Sequence, residues 1–191
     1  MKFALKTLPL LAVLCAMPAM AATEQTGFYI GAGYSNVDLD IKYVDENLSA
    51  AGFTLYGGYN FRPSFGLEAS VTAATGLGGN DIDLTTASFS VGPKFNFVIT
   101  DNITLFAKLA LASVALEDDY NDDDWDWDDN SDYSGIGYSF GAGAHFAVTE
   151  HLNLRLAYEQ VNADLDADSD YYNDDLDAEL SLISLSLHYQ F

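Results

Sequence analysis

The sequence predicts an all-β fold: an eight-stranded antiparallel up-and-down transmembrane β-barrel, first and last strands paired. Three observations carry this reading. Segments of about ten residues alternate large apolar with small or polar side chains at period two, the mark of a strand with one greasy and one wet face. Eight such segments occur, enough to close a small cylinder. No stretch beyond the amino-terminal leader approaches the ~20 consecutive apolar residues of a membrane helix, although the chain carries 12 Tyr and 12 Phe.

The chain opens Met1-Lys2-Phe3-Ala4-Leu5-Lys6, followed by an apolar run from Leu8 to Met17 and then Ala19-Met20-Ala21. A basic start, a short apolar middle and a small-x-small end predict a secretory signal peptide, residues 1–21, ahead of a barrel domain, residues 22–191. The run is too short for a membrane anchor and is broken by Pro9 and Pro18. Cys15 is the only cysteine, and bulky Leu14 before it argues against a lipoprotein signal. The mature chain would then lack disulfides, thiolate metal sites and a cysteine nucleophile.

Seven Lys and Arg face 29 Asp and Glu, a formal net charge of −22. Two of the lysines, Lys2 and Lys6, sit in the leader. Lys42, Arg62, Lys94, Lys108 and Arg155 remain. So acidic a chain is not expected to bind nucleic acid, because phosphate contact needs a basic surface.

The strands follow in order. The first, Gly27 to Val37, sets Phe28, Ile30, Ala32 and Tyr34 against Tyr29, Gly31, Gly33 and Ser35. The second, Ala51 to Phe61, sets Phe53, Leu55, Tyr59 and Phe61 against Thr54, Tyr56, Gly58 and Asn60. After the Arg62-Pro63-Ser64 turn, Phe65 to Ala73 sets Leu67, Ala69 and Val71 against Gly66, Glu68, Ser70 and Thr72. The fourth, Thr85 to Phe97, sets Phe89, Val91, Pro93 and Phe95 against Ser88, Ser90, Gly92, Lys94 and Asn96. The fifth, Ile103 to Val114, sets Leu105, Ala107, Leu109 and Leu111 against Thr104, Phe106, Lys108, Ala110 and Ala112. The sixth, Gly135 to Val148, sets Ile136, Tyr138, Phe140 and Phe146 against Gly137, Ser139, Gly141, Gly143 and His145. The seventh, Leu152 to Val161, sets Leu154, Leu156 and Tyr158 against Asn153, Arg155, Ala157 and Glu159. The last, Leu180 to Phe191, sets Ile183, Leu185, Leu187, Tyr189 and Phe191 against Ser184, Ser186, His188 and Gln190.

Short connections at 62–64, 98–102 and 148–151 alternate with long ones at 38–50, 74–84, 115–134 and 162–178. That places the long loops together at one end. The interior of an eight-stranded barrel is only wide enough for side chains. The small and polar set fits there, so the large apolar set faces outward, toward lipid. The strand charges, Glu68, Lys94, Lys108, Arg155 and Glu159, all fall on the inward face. They are expected to pair inside as a polar plug, since unpaired charges there are costly.

The chain resembles the small eight-stranded outer-membrane proteins of the OmpA/OmpX-like superfamily, labelled porin-family or outer membrane protein beta-barrel domain proteins. The resemblance rests on Gly27-Phe-Tyr-Ile-Gly-Ala-Gly-Tyr34, Phe65-Gly-Leu-Glu-Ala-Ser70, Val91-Gly-Pro-Lys-Phe95 and His188-Tyr-Gln-Phe191, in that order along the whole mature chain. It implies residence in the bacterial outer membrane among outer-membrane lipid and lipopolysaccharide. It implies that the row Ile183, Leu185, Leu187, Tyr189 and Phe191 is the carboxy-terminal signal read by the barrel-assembly machinery. It further implies a role in envelope integrity, adhesion or limited permeation. No peptidoglycan-binding domain is expected, and the expected state is a monomer without cofactor.

An enzyme is the second class considered. Some small barrels of this compartment process lipid A with Ser, His and acidic groups. The histidines here are His145, His151 and His188, and none has a serine at motif-like spacing on an outward face. Interior or turn histidines are the expectation, and no catalytic set is assigned.

Two acidic segments stand out. Glu117 to Asp132 holds ten carboxylates and Asp164 to Asp177 holds seven. Asp164, Asp166, Asp168, Asp170 and Asp175 approach the spacing of a calcium loop, but Ser169 replaces its glycine and no helices flank it. Two readings stay open: a solvated, self-repelling segment, or a divalent-cation surface that shares cations with anionic lipopolysaccharide. A calcium titration followed by Trp125 and Trp127 fluorescence separates them, and an unchanged signal up to millimolar calcium leaves only the solvated segment.

Overall fold

A computed structural model describes residues 26–41, 48–77, 84–118, 132–167 and 176–191. The predicted signal peptide and most of both acidic segments lie outside the described residues. The strands are β1 (Gly27–Ile41), β2 (Leu48–Arg62), β3 (Phe65–Leu77), β4 (Leu84–Thr100), β5 (Ile103–Asp118), β6 (Asp132–Ala147), β7 (Leu152–Ala167) and β8 (Leu176–Gln190). Each pairs antiparallel with its sequence neighbour, and β1 pairs with β8 to close the barrel. The closing seam runs from Tyr29 opposite Gln190 to Ile41 opposite Ala178. The Phe191 amide donates to the Phe28 carbonyl at 3.0 Å, tying the end of the chain to its first strand. Closure leaves no strand edge unpaired, which a sheet in lipid requires.

The two faces separate as the alternation predicts. Phe28, Ile30, Leu111, Ile136, Leu187 and Phe191 are exposed on the outside, whereas Glu68, Lys94, Lys108 and His188 are buried within. On β8 the outward apolar row runs from Ile183 to Phe191. At ~3.3 Å rise per residue and ~40° tilt it makes a belt roughly 20–25 Å tall, the height of an outer-membrane apolar band. Such a surface is unstable in water and stable in lipid.

Most strands run further than predicted, chiefly at the long-loop end, and there the sense of the alternation reverses. On β1, Asn36, Asp38 and Asp40 are exposed while Val37 and Leu39 are buried. On β7, Asp164 is exposed while Val161, Ala163 and Leu165 are buried. On β8, Glu179 is exposed while Ala178, Leu180 and Leu182 are buried. With Leu77, Val114 and Leu116, these inward residues form one apolar cluster that fills the outer end of the lumen. The barrel is thus lipid-type below, apolar out and polar in, and water-type above, polar out and apolar in. This corrects the expectation of a small, polar interior throughout. It also shows strand charges such as Asp38, Asp40 and Glu179 on the outward face, which the shorter predicted strands did not contain.

Inside the lipid-type half, large rings are seated against glycine. Tyr56 lies opposite Gly31, Tyr29 opposite Gly58, and Phe106 opposite Gly143. A Cβ built on Gly31 would overlap the hydroxyl-bearing end of the Tyr56 ring, at Cζ and the hydroxyl oxygen. Retreat of the ring is limited by the Arg155 guanidinium, which lies 4.0 Å from its centroid. Gly31→Ala should therefore destabilise the folded barrel by about 1–3 kcal/mol, the usual cost of overpacking. Urea unfolding of protein reconstituted in lipid vesicles measures this, and an unchanged midpoint would show that Tyr56 is free to move.

Candidate functional site

The interior charges sit on strands that alternation orients inward. Glu68 comes from β3, Lys94 from β4, Lys108 from β5, and Arg155 and Glu159 from β7. Glu68 is the centre. Arg155 grips it with two bonds, Nη1 to Oε2 at 2.7 Å and Nη2 to Oε1 at 2.9 Å. The Tyr29 hydroxyl donates to Oε2 at 3.1 Å. Lys94 and Lys108 each stand 3.8 Å from the carboxylate. A fully buried carboxylate is strongly disfavoured unless surrounded in this way, and the bidentate fork of arginine fixes its orientation as well as its charge.

The second centre is Lys108. Its ammonium has three protons and meets three acceptors: Ser70 Oγ at 2.9 Å, Ser90 Oγ at 2.9 Å and Glu159 Oε2 at 3.0 Å. Ser90 in turn donates to Glu159 Oε1 at 2.9 Å, and Ser139 donates to the same oxygen at 2.8 Å. Ser70 donates to Ser90 across 2.7 Å, since the Ser90 proton is already used. The five predicted residues thus lie in one network, and its remaining members are hydroxyls.

Aromatic rings wall this network. Arg155 is held between Tyr56 and Phe106, at 4.0 and 4.2 Å from their centroids. Lys94 stands 4.1 Å over the Tyr29 ring. These contacts are cation–π attractions strengthened by the absence of bulk water. Tyr29, Tyr56, Phe106, Ser70, Ser90 and Ser139 were not singled out from the sequence as site residues. A signal existed, because a large ring on a face otherwise made of glycine and serine marks a position with its own partner.

Two further layers bracket the network. Toward the short-turn end, the Asn60 amide donates to Gln190 at 3.4 Å, Asn96 to the Pro63 carbonyl at 3.2 Å, and Gln190 to the Phe28 carbonyl at 3.1 Å. These side chains form a buried amide floor. Toward the long-loop end, Thr54 and Thr72 bond at 2.7 Å, with Ser35 also on Thr54. Above them sits the apolar cluster. The space left between Arg155, Glu159 and this hydroxyl ladder is about 20 Å³, room for about one water.

The histidines fall where the alternation puts them. His145 and His188 are buried in the lumen, their rings edge to face at 4.6 Å. His188 also stacks on Tyr29 at 4.8 Å. His151 is in the turn before β7, its Nδ1 at 3.0 Å from the Gln190 carbonyl. The lumen pair is thus walled off from the lipid-facing surface. The terminal row Ile183, Leu185, Leu187, Tyr189 and Phe191 lies exposed on the outward face. Most of the carboxylates in the two acidic segments lie outside the described residues.

The model of the outer membrane protein beta-barrel domain family matches residues 7–191. No curated protein sequence matches the chain. Among solved structures, the fold is similar to Neisserial surface protein A, with a TM-score of 0.71 and 14% identity over 87% of this chain and 98% of that one. It is similar to Ail, the attachment invasion locus protein of Yersinia pestis, with a TM-score of 0.56 and 19% identity over 86% and 100%. It is similar to OprG from Pseudomonas aeruginosa, with a TM-score of 0.54 and 13% identity over 92% and 99%.

A double-mutant cycle tests how tightly the central pair is coupled. Glu68→Gln leaves three cations facing one carboxylate and should cost about 3–5 kcal/mol in vesicle unfolding. Adding Arg155→Met should recover part of that loss, because it removes a charge left without its partner. Strictly additive losses would mean that the two side chains contribute independently.

Proposed function

The chain belongs to the outer membrane protein beta-barrel domain family, and from that premise we propose that it is a closed, non-catalytic surface barrel. In this reading it resides in the bacterial outer membrane as a monomer and holds its acidic loops outside the cell. Its contribution is structural or adhesive, or to envelope integrity. Its partners are the lipid and lipopolysaccharide around the apolar belt. The assembly machinery joins them during insertion, reading the strand that ends at Phe191.

The observation that carries the reading is the filled lumen. Going inward from the outer end, a hydrated ion meets Leu39, Leu77, Leu165 and Leu180, all buried and apolar. It must shed water there without replacement ligands, which is costly. Below lies the buried ion network, in which Glu68, Lys108, Arg155 and Glu159 bond to one another and to the surrounding hydroxyls, and then the amide floor. The position of the histidines supports the non-catalytic part, since a lipid substrate approaches from the outside of the barrel.

The competing reading is a narrow channel for small solutes. Purified barrel reconstituted in a planar bilayer should add no steady conductance to the lipid baseline. Discrete ohmic openings would overturn the closed reading in favour of the channel.

A further inference from the structure

The outward wall of β1–β4 carries a groove of about 440 Å³. Its floor is Gly57 and Ala69, which are directly paired and bring little or no side chain to the surface. Ile30 and Val91 flank them in the same cross-strand row. Phe28, Tyr59 and Phe61 close the end toward the short turns, with Tyr59 edge-on to both phenylalanines at 4.7 and 5.1 Å. The groove lies in the apolar belt, so an apolar chain is what its walls accept.

Next to this closed end stands Arg62. Strict alternation after Asn60, which points inward, would turn Arg62 into the lumen. A β-bulge intervenes: the β2–β3 register shifts between Asn60 and Arg62, and Arg62 pairs with Phe65. Phe65 is on the outward face, so Arg62 is placed there too, and it is exposed. Re-aiming one side chain is a recurrent use of bulges. Among the described residues Arg62 is the one exposed Lys or Arg, because Lys94, Lys108 and Arg155 are buried. No described carboxylate forms an ion pair with it. At the opposite end of the barrel the outward face instead presents Asp38, Asp40, Asp164 and Glu179.

We propose that Arg62 and the Gly57–Ala69 groove form a seat for one glycerophospholipid of the inner leaflet. Arg62 binds the phosphate diester and an acyl chain lies across Gly57 and Ala69. The charge pattern favours this leaflet: a phosphate beside the groove meets the guanidinium, the short-turn acids Asp101 and Glu150 lying on other turns, whereas the outward strand face at the opposite end offers only carboxylates among the described charges. The depth also fits. Gly57 is about 16 Å along the strand from Arg62, or roughly 13 Å along the barrel axis at ~40° tilt, within one half of a ~30 Å hydrocarbon core.

The test uses the mature chain folded in detergent, given phosphatidylglycerol and examined by native mass spectrometry. One lipid should be retained. Arg62→Gln should weaken retention about tenfold, as expected for loss of a charge-assisted contact. Ala69→Leu, which fills the floor, should weaken it comparably, and Ala142→Leu on the outward face of β6 should leave it unchanged. Excess inorganic phosphate should fail to displace the lipid. Equal retention by all four proteins, or displacement by inorganic phosphate alone, overturns the proposal. Should Ala69→Leu not fold, phosphatidylglycerol with a photoreactive acyl chain decides with the unaltered protein in vesicles. Labelling should concentrate on the β2 and β3 segments that contain Gly57 and Ala69, and labelling spread evenly round the barrel overturns the seat.

Discussion

Burial of the Glu68 carboxylate is the constraint on which the rest of this barrel depends. A lumen eight strands wide has no room for bulk water, so a charge placed there must find its solvation in side chains. Arg155 supplies two bonds and Tyr29 a third. Each of those long side chains then needs space. Gly58 opposite Tyr29, and Gly31 opposite Tyr56 beside Arg155, provide it. The glycines of the inward face are therefore a consequence of the ion pair as much as of strand curvature. Lys108 repeats the logic with Glu159 and two serines. A buried ion network of this kind adds little net stability compared with an apolar core, but it is intolerant of losing a member.

That network ends where the apolar belt ends, and the coincidence has a physical cause. At the level of lipid, the outside must be apolar and the inside takes whatever polar groups the sequence carries. Above the lipid, the outside meets water and the strands need a hydrophobic interior to hold together, as in any soluble sheet. Val37, Leu39, Leu165 and Leu180 supply it, with Asp38, Asp40, Asp164 and Glu179 facing out beside them. The extended strands raise the loop attachments above the belt on a collar with an apolar core.

The same reversal explains what the sequence disclosed and what it withheld. Faces were legible for every strand, because period-two alternation is strict and a one-residue error would expose Glu68 or Lys94 to lipid. Strand ends at the outer side were not, because Val37-Asp38-Leu39-Asp40 still alternates but in the opposite sense, so a single rule of apolar outward takes it for a loop. The five charged residues were legible as inward-facing. Their aromatic and hydroxyl partners were not, since Tyr56 meets Gly31 through cross-strand register and Lys108 reaches Ser70 two strands away, neither of which periodicity within one strand contains. Arg62 was hidden for a related reason: a bulge changes the face of a side chain without altering the local pattern of residue types.

The placement of positive charge follows from the same economy. Against 29 carboxylates the whole chain has seven basic residues. Three of them, Lys94, Lys108 and Arg155, are enclosed in the lumen, and Arg62 is turned outward at the short-turn end. None of these four can neutralise the outer rim, which lies beyond the apolar cluster. The carboxylates there, beginning with Asp40 directly opposite Glu179, repel one another across the strands. Among the described residues no basic side chain stands beside them, so the surrounding ionic medium acts on these carboxylates more strongly than on the lipid-facing belt.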